Sequence, residues 1–147
     1  MEEKIHGFSQ MEIVDLYHYL CIYVSKLEHI ENQTIFEEEY PKTKELKKTM
    51  SSFVCNNCTK ESLKVIGLAP MDDLVSMTKC RSSKTLSFLH HLRNSIAHGQ
   101  LEQEGGYVFL IDYGFEDSTK VFSARGKIKS STLFEIVHII NNNIKLS

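Results

Sequence analysis

The sequence predicts a mainly α fold, a helical bundle with a β-hairpin between a central helix and the C-terminal helix. Apolar residues recur at spacings of three and four in four separate stretches, which is the period of an amphipathic helix. Two β-rich runs joined by a polar turn stand between the last two of these stretches. With 147 residues, 41% of them hydrophobic, the chain is long enough for one domain, residues 1–147, with its own core.

The first helix is predicted to begin at a capping box. Ser9 and Glu12 have the spacing at which each side chain bonds the other's backbone N–H. The apolar positions that follow continue to about Glu31 and predict one buried stripe. Its members are Ile13, Leu16, Tyr17, Leu20, Cys21, Val24 and Leu27.

Pro41 suits the first position of a second helix, because its missing N–H has no partner there in any case. The apolar positions of this helix are Leu46, Met50 and Phe53. They lie above a lysine-rich face, which we interpret as solvated surface and which consists of Lys42, Lys44, Lys47 and Lys48.

The next part of the chain has weaker signals. Gly67 and Pro70 separate a short apolar segment, Leu63–Leu68, from a short helical candidate, Met71–Met77. The prediction for this part of the chain is limited to these two short segments.

The central helix is predicted from about Lys84 to His98, with Ser82 or Ser83 as its N-cap. At ~100° per residue its leucines and Ile96 cluster on one side. Its polar residues, His91, Asn94 and His98, are predicted to lie on the opposite side, away from the core.

A β-hairpin and a last helix complete the predicted fold. The hairpin strands are Tyr107–Tyr113 and Lys120–Ala124, with a polar turn at Glu116–Ser118. The last helix is predicted to begin near Ser131 or Thr132. Its apolar stripe consists of Leu133, Ile136, Val137, Ile140 and Ile144.

The charge balance excludes one class of function. The formal net charge is −2, whereas proteins that coat nucleic acid through bulk electrostatics carry a basic excess. No stretch approaches the ~20 apolar residues of a membrane span, and the N-terminus lacks the apolar core of a signal peptide. We therefore expect a cytoplasmic protein that does not associate with membranes and contacts nucleic acid only locally.

The four cysteines contain one Cys-x-x-Cys pair, Cys55 and Cys58. Such a pair is half of a zinc site or a redox motif, but no second pair and no His-x3-5-His follows at a suitable distance. We interpret the cysteines as unpaired thiols in a reducing compartment. A metal-dependent or redox protein built on Cys55 and Cys58 is an alternative that elemental analysis would test.

Three residues at the end of the central helix have side chains suited to phosphodiester chemistry. Arg93 has a planar fork of donors that matches phosphate oxygens. His98 has an imidazole ring, a group that can give or take a proton. Asn94, one turn before His98, can orient it or the phosphate. This combination predicts a metal-free nuclease site.

The run Arg93-Asn94-Ser95-Ile96-Ala97-His98 closing an apolar helix resembles the Arg-x4-6-His motif of the HEPN superfamily. The motif covers a handful of residues, and the predicted helices extend a looser resemblance over most of the chain. The resemblance implies a HEPN-like helical bundle and a metal-independent endoribonuclease without a cofactor. In it, His98 would transfer protons, Arg93 would stabilise the developing charge, and His91 would be an auxiliary candidate.

The resemblance also implies partners. Arg93 lies roughly 140° around the helix from His98, so a narrow stripe cannot hold both. HEPN ribonucleases place the motif across a dimer interface, and a homodimer would bring two copies together. An RNA substrate, use as a toxin or in phage defence, and an antitoxin or regulatory partner are further expectations. HepT-type members carry a tyrosine where this chain has Gln100, which argues against their tyrosine-based regulation. A catalytically inactive dimerisation or nucleotide-binding module remains an alternative.

Overall fold

The computed structural model describes residues 4–65 and 74–146, and it has an α/β fold rather than the mainly α bundle that the sequence predicts. Helices pack on a five-stranded mixed sheet with the strand order β1-β2-β5-β4-β3. The strands are β1 (Val54–Asn57), β2 (Leu74–Met77), β3 (Leu101–Glu104), β4 (Tyr107–Glu116) and β5 (Thr119–Lys129). The first two strands pair in parallel, and the other pairs are antiparallel.

Six α-helices are found in the described part of the chain. They are α1 (Gln10–Ile22), α2 (Gln33–Glu39), α3 (Leu46–Met50), α4 (Lys60–Val65), α5 (Lys84–Ala97) and α6 (Ser130–Asn143). A π-helical turn, Tyr23–Leu27, continues α1, and a 3₁₀ turn, Pro41–Glu45, leads into α3. None of the described helices is long and apolar enough to cross a membrane.

The mainly α prediction is wrong because three short strands were not recognised, and two of them, β1 and β2, have partners far along the chain. The strands β1, β2 and β3 have four residues each, a length at which alternation cannot be told from part of a helix. Leu74–Met77, the described part of the helical candidate Met71–Met77, is strand β2 and lies between β1 and β5. Residues 66–73 lie outside the described part of the chain, and so do the remaining parts of Leu63–Leu68 and Met71–Met77.

The first helix begins as predicted but buries a different face. Ser9 caps α1, and both hydrogen bonds of the capping box are present. Tyr19 and Tyr23 are fully or almost fully buried, whereas Tyr17 is 57% exposed and Val24 42% exposed. The two buried tyrosines fill more core volume and also satisfy their hydroxyls, because Tyr19 donates to the Leu89 carbonyl oxygen and Tyr23 bonds the His90 ring.

Several local predictions are confirmed. Ser83 caps α5, the hairpin β4–β5 lies between α5 and α6, and α6 buries its predicted apolar stripe. Helices α1, α5 and α6 pack with the inner face of the sheet around one core. Helix α5 crosses the sheet over β4, so its polar residues lie against this strand. The sequence predicted β4 only as one strand of a hairpin and not as a strand packed under α5.

Candidate functional site

The end of α5 is fixed by a glycine-terminated cap. His98 is the C-cap residue, and Gly99 follows with φ +65°. The Gly99 N–H bonds the Ile96 carbonyl oxygen, and the Gln100 N–H bonds that of Ser95 at 2.7 Å. These two bonds form a Schellman motif, in which glycine adopts the left-handed conformation without strain. The chain therefore turns sharply immediately after His98.

The His98 side chain is open to solvent. It is exposed and makes no side-chain hydrogen bond or ion pair with any residue that the structure describes. Gln100, two residues later, accepts a hydrogen bond from the Tyr113 N–H through its Oε1 at 3.2 Å. The motif end of α5 is thus attached to β4, while the imidazole of His98 stays available to a ligand.

A buried carboxylate organises the polar side of α5. Asp112 on β4 is 5% exposed, and its Oδ2 accepts from His91 Nδ1 at 2.8 Å and from Asn94 Nδ2 at 3.1 Å. Asn94 Oδ1 in turn accepts from Arg93 Nη1 at 3.0 Å. We call the four residues Arg93, Asn94, Asp112 and His91 the Asp112 network. It connects a buried charge pair to the motif arginine through the motif asparagine.

His91 is a buried cation and not part of an exposed polar face, so that prediction is wrong. Its exposed fraction is 2%, its Nδ1 faces Asp112, and its Nε2 faces the Thr78 carbonyl oxygen at 2.8 Å. Since both ring nitrogens face acceptors, both carry protons. Burial alone lowers the pKa of His91, but hydrogen bonds to Asp112, Cys80 and the Thr78 carbonyl outweigh it and raise the pKa to about 9.

A cysteine lies beside the other ring nitrogen of His91. Cys80 Sγ is 3.7 Å from His91 Nε2, so Cys80, His91 and Asp112 follow the order of a nucleophile, base and acid triad. The shorter contact of Nε2 is with the Thr78 carbonyl oxygen at 2.8 Å. His91 thus joins Asp112 on β4 to the segment that carries Thr78 and Cys80.

Arg93 is held in place but keeps donor capacity. Its Nη2 lies 3.7 Å from Glu28 Oε1, and its side chain is 25% exposed. Its Nε is buried and has no hydrogen-bond partner among the described residues. A guanidinium with five donors, only some of them used, can accept a further anionic oxygen.

A second arginine lies on the other side of His90. Arg81 Nη2 is 3.4 Å from His90 Nδ1 and 3.4 Å from the Glu28 carbonyl oxygen. Burial and the positive charge of Arg81 lower the pKa of His90 to about 4, so this ring is neutral at physiological pH. His90 Nε2 also lies 3.3 Å from Asn94 Nδ2, and a neutral ring accepts a hydrogen bond at only one of its two nitrogens.

The motif residues do not form a complete site within one chain. The helix α5 stays regular to Ala97, and Arg93 turns toward Asn94 and Glu28. No hydrogen bond joins Arg93 to His98 in the described part of the chain. Helix α5 therefore lacks a distortion at its end that would bring Arg93 and His98 together within one chain.

Sequence reasoning missed Asp112, Glu28, Arg81 and His90. The signal for Asp112 was present, because Val108, Leu110 and Asp112 occupy alternate, inward-facing positions of β4. A carboxylate at a core-facing strand position requires a buried partner. Glu28 and Arg81 carried no such signal, because Glu28 follows the π-helical turn and Arg81 precedes α5, and only the folded chain brings them to Arg93 and His90.

The Cys-x-x-Cys pair has packing partners and no ligand cluster. Cys55 is buried on β1, where desolvation raises its pKa to about 11, and burial also raises the pKa of Cys58. The Cys58 thiol donates to the Met77 carbonyl oxygen at 3.4 Å. Across the described ranges, no group of three or more His, Cys, Asp or Glu side chains could hold a metal ion.

We expect the stability of the protein to fall between pH 6.5 and 9 because of His91. Its ordinary pKa is 6.5 and its folded pKa is about 9. The contribution of its charge is therefore complete below pH 6.5 and is lost as the pH rises through 9, by about 3 kcal/mol at most. Urea unfolding of the wild type and His91→Gln at several pH values measures it.

The difference in unfolding free energy between the two proteins should shrink across this pH range. His138→Gln is the matched control, because His138 forms an exposed pair with Asp15 and should give a small, nearly constant difference. A difference for His91→Gln that does not vary with pH would show that His91 is not charged in the folded state.

Comparison of the chain with protein-family models, with curated proteins and with solved structures finds no match. The class of protein that the fold and the site define is therefore an α/β protein with an exposed histidine at a helix end, beside a buried histidine–aspartate pair and an arginine.

Proposed function

We propose that this chain is a metal-independent, HEPN-type endoribonuclease that acts in the cytoplasm. One observation carries the proposal. Buried Asp112 orients Asn94, and Asn94 holds Arg93 by a hydrogen bond. His98, one turn later, is exposed and has no side-chain hydrogen bond to any described residue. This combination supplies a fixed charge for a phosphate and a free proton carrier. The proposal rests on the motif end of α5 and not on the helical bundle that the sequence predicted.

The reaction would be a transesterification on the RNA substrate. The ribose 2′-oxygen attacks the adjacent phosphorus and loses its proton to a base, and the bond from phosphorus to the 5′-oxygen breaks as that oxygen gains a proton. The products are a 2′,3′-cyclic phosphate and a 5′-hydroxyl. His98 would transfer a proton, Arg93 would stabilise the charge on the pentacoordinate phosphorus, and Asn94 would fix the direction of Arg93. His91 is a positioning residue.

A homodimer would complete the site. Arg93 and His98 are apart in one chain, and two copies of His98 in one cleft would supply both the base and the acid. The first helix carries exposed apolar side chains at helical spacing, namely Met11, Val14 and Tyr17, which are 78%, 65% and 57% exposed. Tyr17 and Gly99 line the same cavity, so this surface adjoins the motif end. An exposed apolar surface of this kind is typical of an interface.

We expect the wild type to be a dimer at micromolar concentration in sedimentation or light-scattering measurements. Val14→Glu should shift it to a monomer and abolish RNA cleavage, because it places a charge in the interface. Ile35→Glu is the matched control, since Ile35 on α2 is 51% exposed and lies outside this surface. A wild type that is monomeric and cleaves RNA would contradict the composite site.

The experiment that tests the activity is incubation of the purified protein with RNA in excess EDTA. We expect cleavage to persist, with products that end in a 2′,3′-cyclic phosphate. The same RNA with a single 2′-deoxy substitution at the cleavage site should resist, because the nucleophile is missing. Cleavage of the deoxy substrate at an undiminished rate, or loss of all activity in EDTA, would overturn this mechanism.

A dimer that binds RNA or nucleotide without cleaving it would be the catalytically inactive module that the sequence leaves as the alternative. An antitoxin or other regulatory partner would act on this same site.

A further inference from the structure

The outer face of the β4–β5 hairpin combines aromatic rings with cations. Alternate residues of both strands point inward and are buried, including Val108, Leu110 and Ile128. Their neighbours point to the other side of the sheet and are half-buried or exposed. On β4 and β5 these outward residues include Tyr107, Phe109, Tyr113, Phe115, Lys120, Phe122, Arg125, Lys127 and Lys129.

The cations lie directly over the rings. Lys120 Nζ is 4.1 Å from the centre of the Tyr113 ring, and Arg125 Cζ is 4.3 Å from that of Phe122. Tyr113 packs edge-on against Phe122 at 6.0 Å and against Phe115 at 5.9 Å. Farther along the hairpin, Lys127 Nζ is 4.6 Å from the centre of the Tyr107 ring. The rings and cations thus form a continuous surface, which we call the aromatic–basic face.

The charge of this face is opposite to that of the whole chain. Lys120, Arg125, Lys127 and Lys129 lie on it, while the chain has a formal net charge of −2. Glu102 and Glu104 on β3 pair in register with Phe109 and Tyr107 and place negative charge at that edge. The positive side chains therefore run along β5 from Lys120 to Lys129.

This end of the hairpin lies next to the motif end of α5. The Tyr113 N–H bonds the side chain of Gln100, two residues after His98. Tyr113 also follows Asp112 directly, at the irregularity in the β4–β5 register between Asp112 and Tyr113. A nucleic-acid strand that is bound on the outer face and passes over Tyr113 can therefore continue to His98.

Rings and cations in this arrangement match the two repeating features of a single-stranded nucleic acid. Bases stack on aromatic side chains, and lysine and arginine contact the phosphates between them. A duplex hides its base faces and fits such a surface poorly. Cation–ring contacts also stabilise a hairpin by themselves, but they do not require Phe115 to be 68% exposed beside Tyr113.

We infer that the aromatic–basic face binds single-stranded RNA and leads it to His98, with a base stacked on the exposed Phe115 ring and phosphates held by Lys120 and Arg125, which lie over Tyr113 and Phe122. This inference deepens the proposed function by naming the form of its substrate and the surface that holds it. The RNA is bound by the outer face of the sheet, which is the face turned away from the hydrophobic core.

Binding is tested in the full-length His98→Ala protein, so that the result does not depend on cleavage. The probe is a fluorescein-labelled 12-nucleotide RNA of mixed sequence, followed by anisotropy in EDTA at several salt concentrations. We expect Phe115→Ala to weaken binding about 5-fold or more through the loss of one stacked base. Lys120→Glu should weaken it at least as much and should lower the salt dependence by about one phosphate contact.

Two matched controls carry the same changes elsewhere. Ile35→Ala removes an exposed apolar side chain from α2, and Lys44→Glu reverses a charge on the lysine-rich surface formed by Lys42, Lys44, Lys47 and Lys48. Both should leave the affinity unchanged. Unchanged affinity in Phe115→Ala and Lys120→Glu, a loss in Lys44→Glu instead, or tighter binding of the matching duplex would overturn the inference. Absence of cleavage in the wild type would contradict the nuclease proposal and leave this binding result intact.

Discussion

Replacing His98 by alanine is expected to lower RNA cleavage by about 10²–10⁴-fold, the usual size of a lost general acid or base. The fold should not change, because the His98 side chain is exposed and makes no hydrogen bond within the described part of the chain. Cleavage is measured under single-turnover conditions in EDTA, with circular dichroism and thermal unfolding as checks of the fold.

His138→Ala is the matched control for this change. His138 is also an exposed helical histidine, but it pairs with Asp15 on the surface. It should retain the cleavage rate of the wild type. Equal rates for His98→Ala and the wild type would remove His98 from the mechanism, and an unfolded His98→Ala protein would give it a structural role instead.

Arg93 gives a second set of variants for the same reaction. Arg93→Ala should lower cleavage over the same range as His98→Ala, through the loss of charge stabilisation at the phosphorus. Arg93→Lys should recover only part of the rate, because an ammonium keeps the charge but loses the fork that holds two phosphate oxygens and Asn94 at once. Full recovery with lysine would show that only net charge matters at this position.

Replacing Asp112 by alanine is expected to lower the free energy of unfolding by about 3–5 kcal/mol. The change leaves the buried His91 cation without its partner and removes the acceptor for Asn94. A loss of this size is a large part of the total stability of a small domain. Urea unfolding at pH 6, where His91 is fully charged, measures the effect.

Two further proteins separate the charge pair from simple loss of packing. Asp15→Ala breaks an exposed histidine–aspartate pair and should cost less than about 1 kcal/mol. The double variant His91→Phe with Asp112→Leu removes both charges and should be more stable than Asp112→Ala alone, because no unpaired buried charge remains. A double variant that is less stable than Asp112→Ala would show that shape, and not charge, makes Asp112 necessary.

The site was only partly visible in the sequence. Arg93, Asn94 and His98 were identified from residue type and spacing, and the structure places all three at the end of α5. Their relation to one another was not visible, because it depends on Asp112, which is 18 residues from Asn94 along the chain. The ideal-helix projection also placed His91 on the solvent side, because it could not include a strand packed against that side of α5.

The sequence by itself determined the features that depend on neighbouring residues. The capping box at Ser9, the Ser83 cap, the Gly99 terminus and the β4–β5 hairpin all arise from contacts within a few residues, and each is present. Tertiary structure alone decided the α/β class, the parallel pairing of β1 with β2 and the buried face of α1. The four-residue strands β1 and β2 gain their stability from partners far along the chain, and Tyr19 and Tyr23 are buried where their hydroxyls find partners on α5. Such pairings form only when the chain is folded, so no local sequence pattern predicts them.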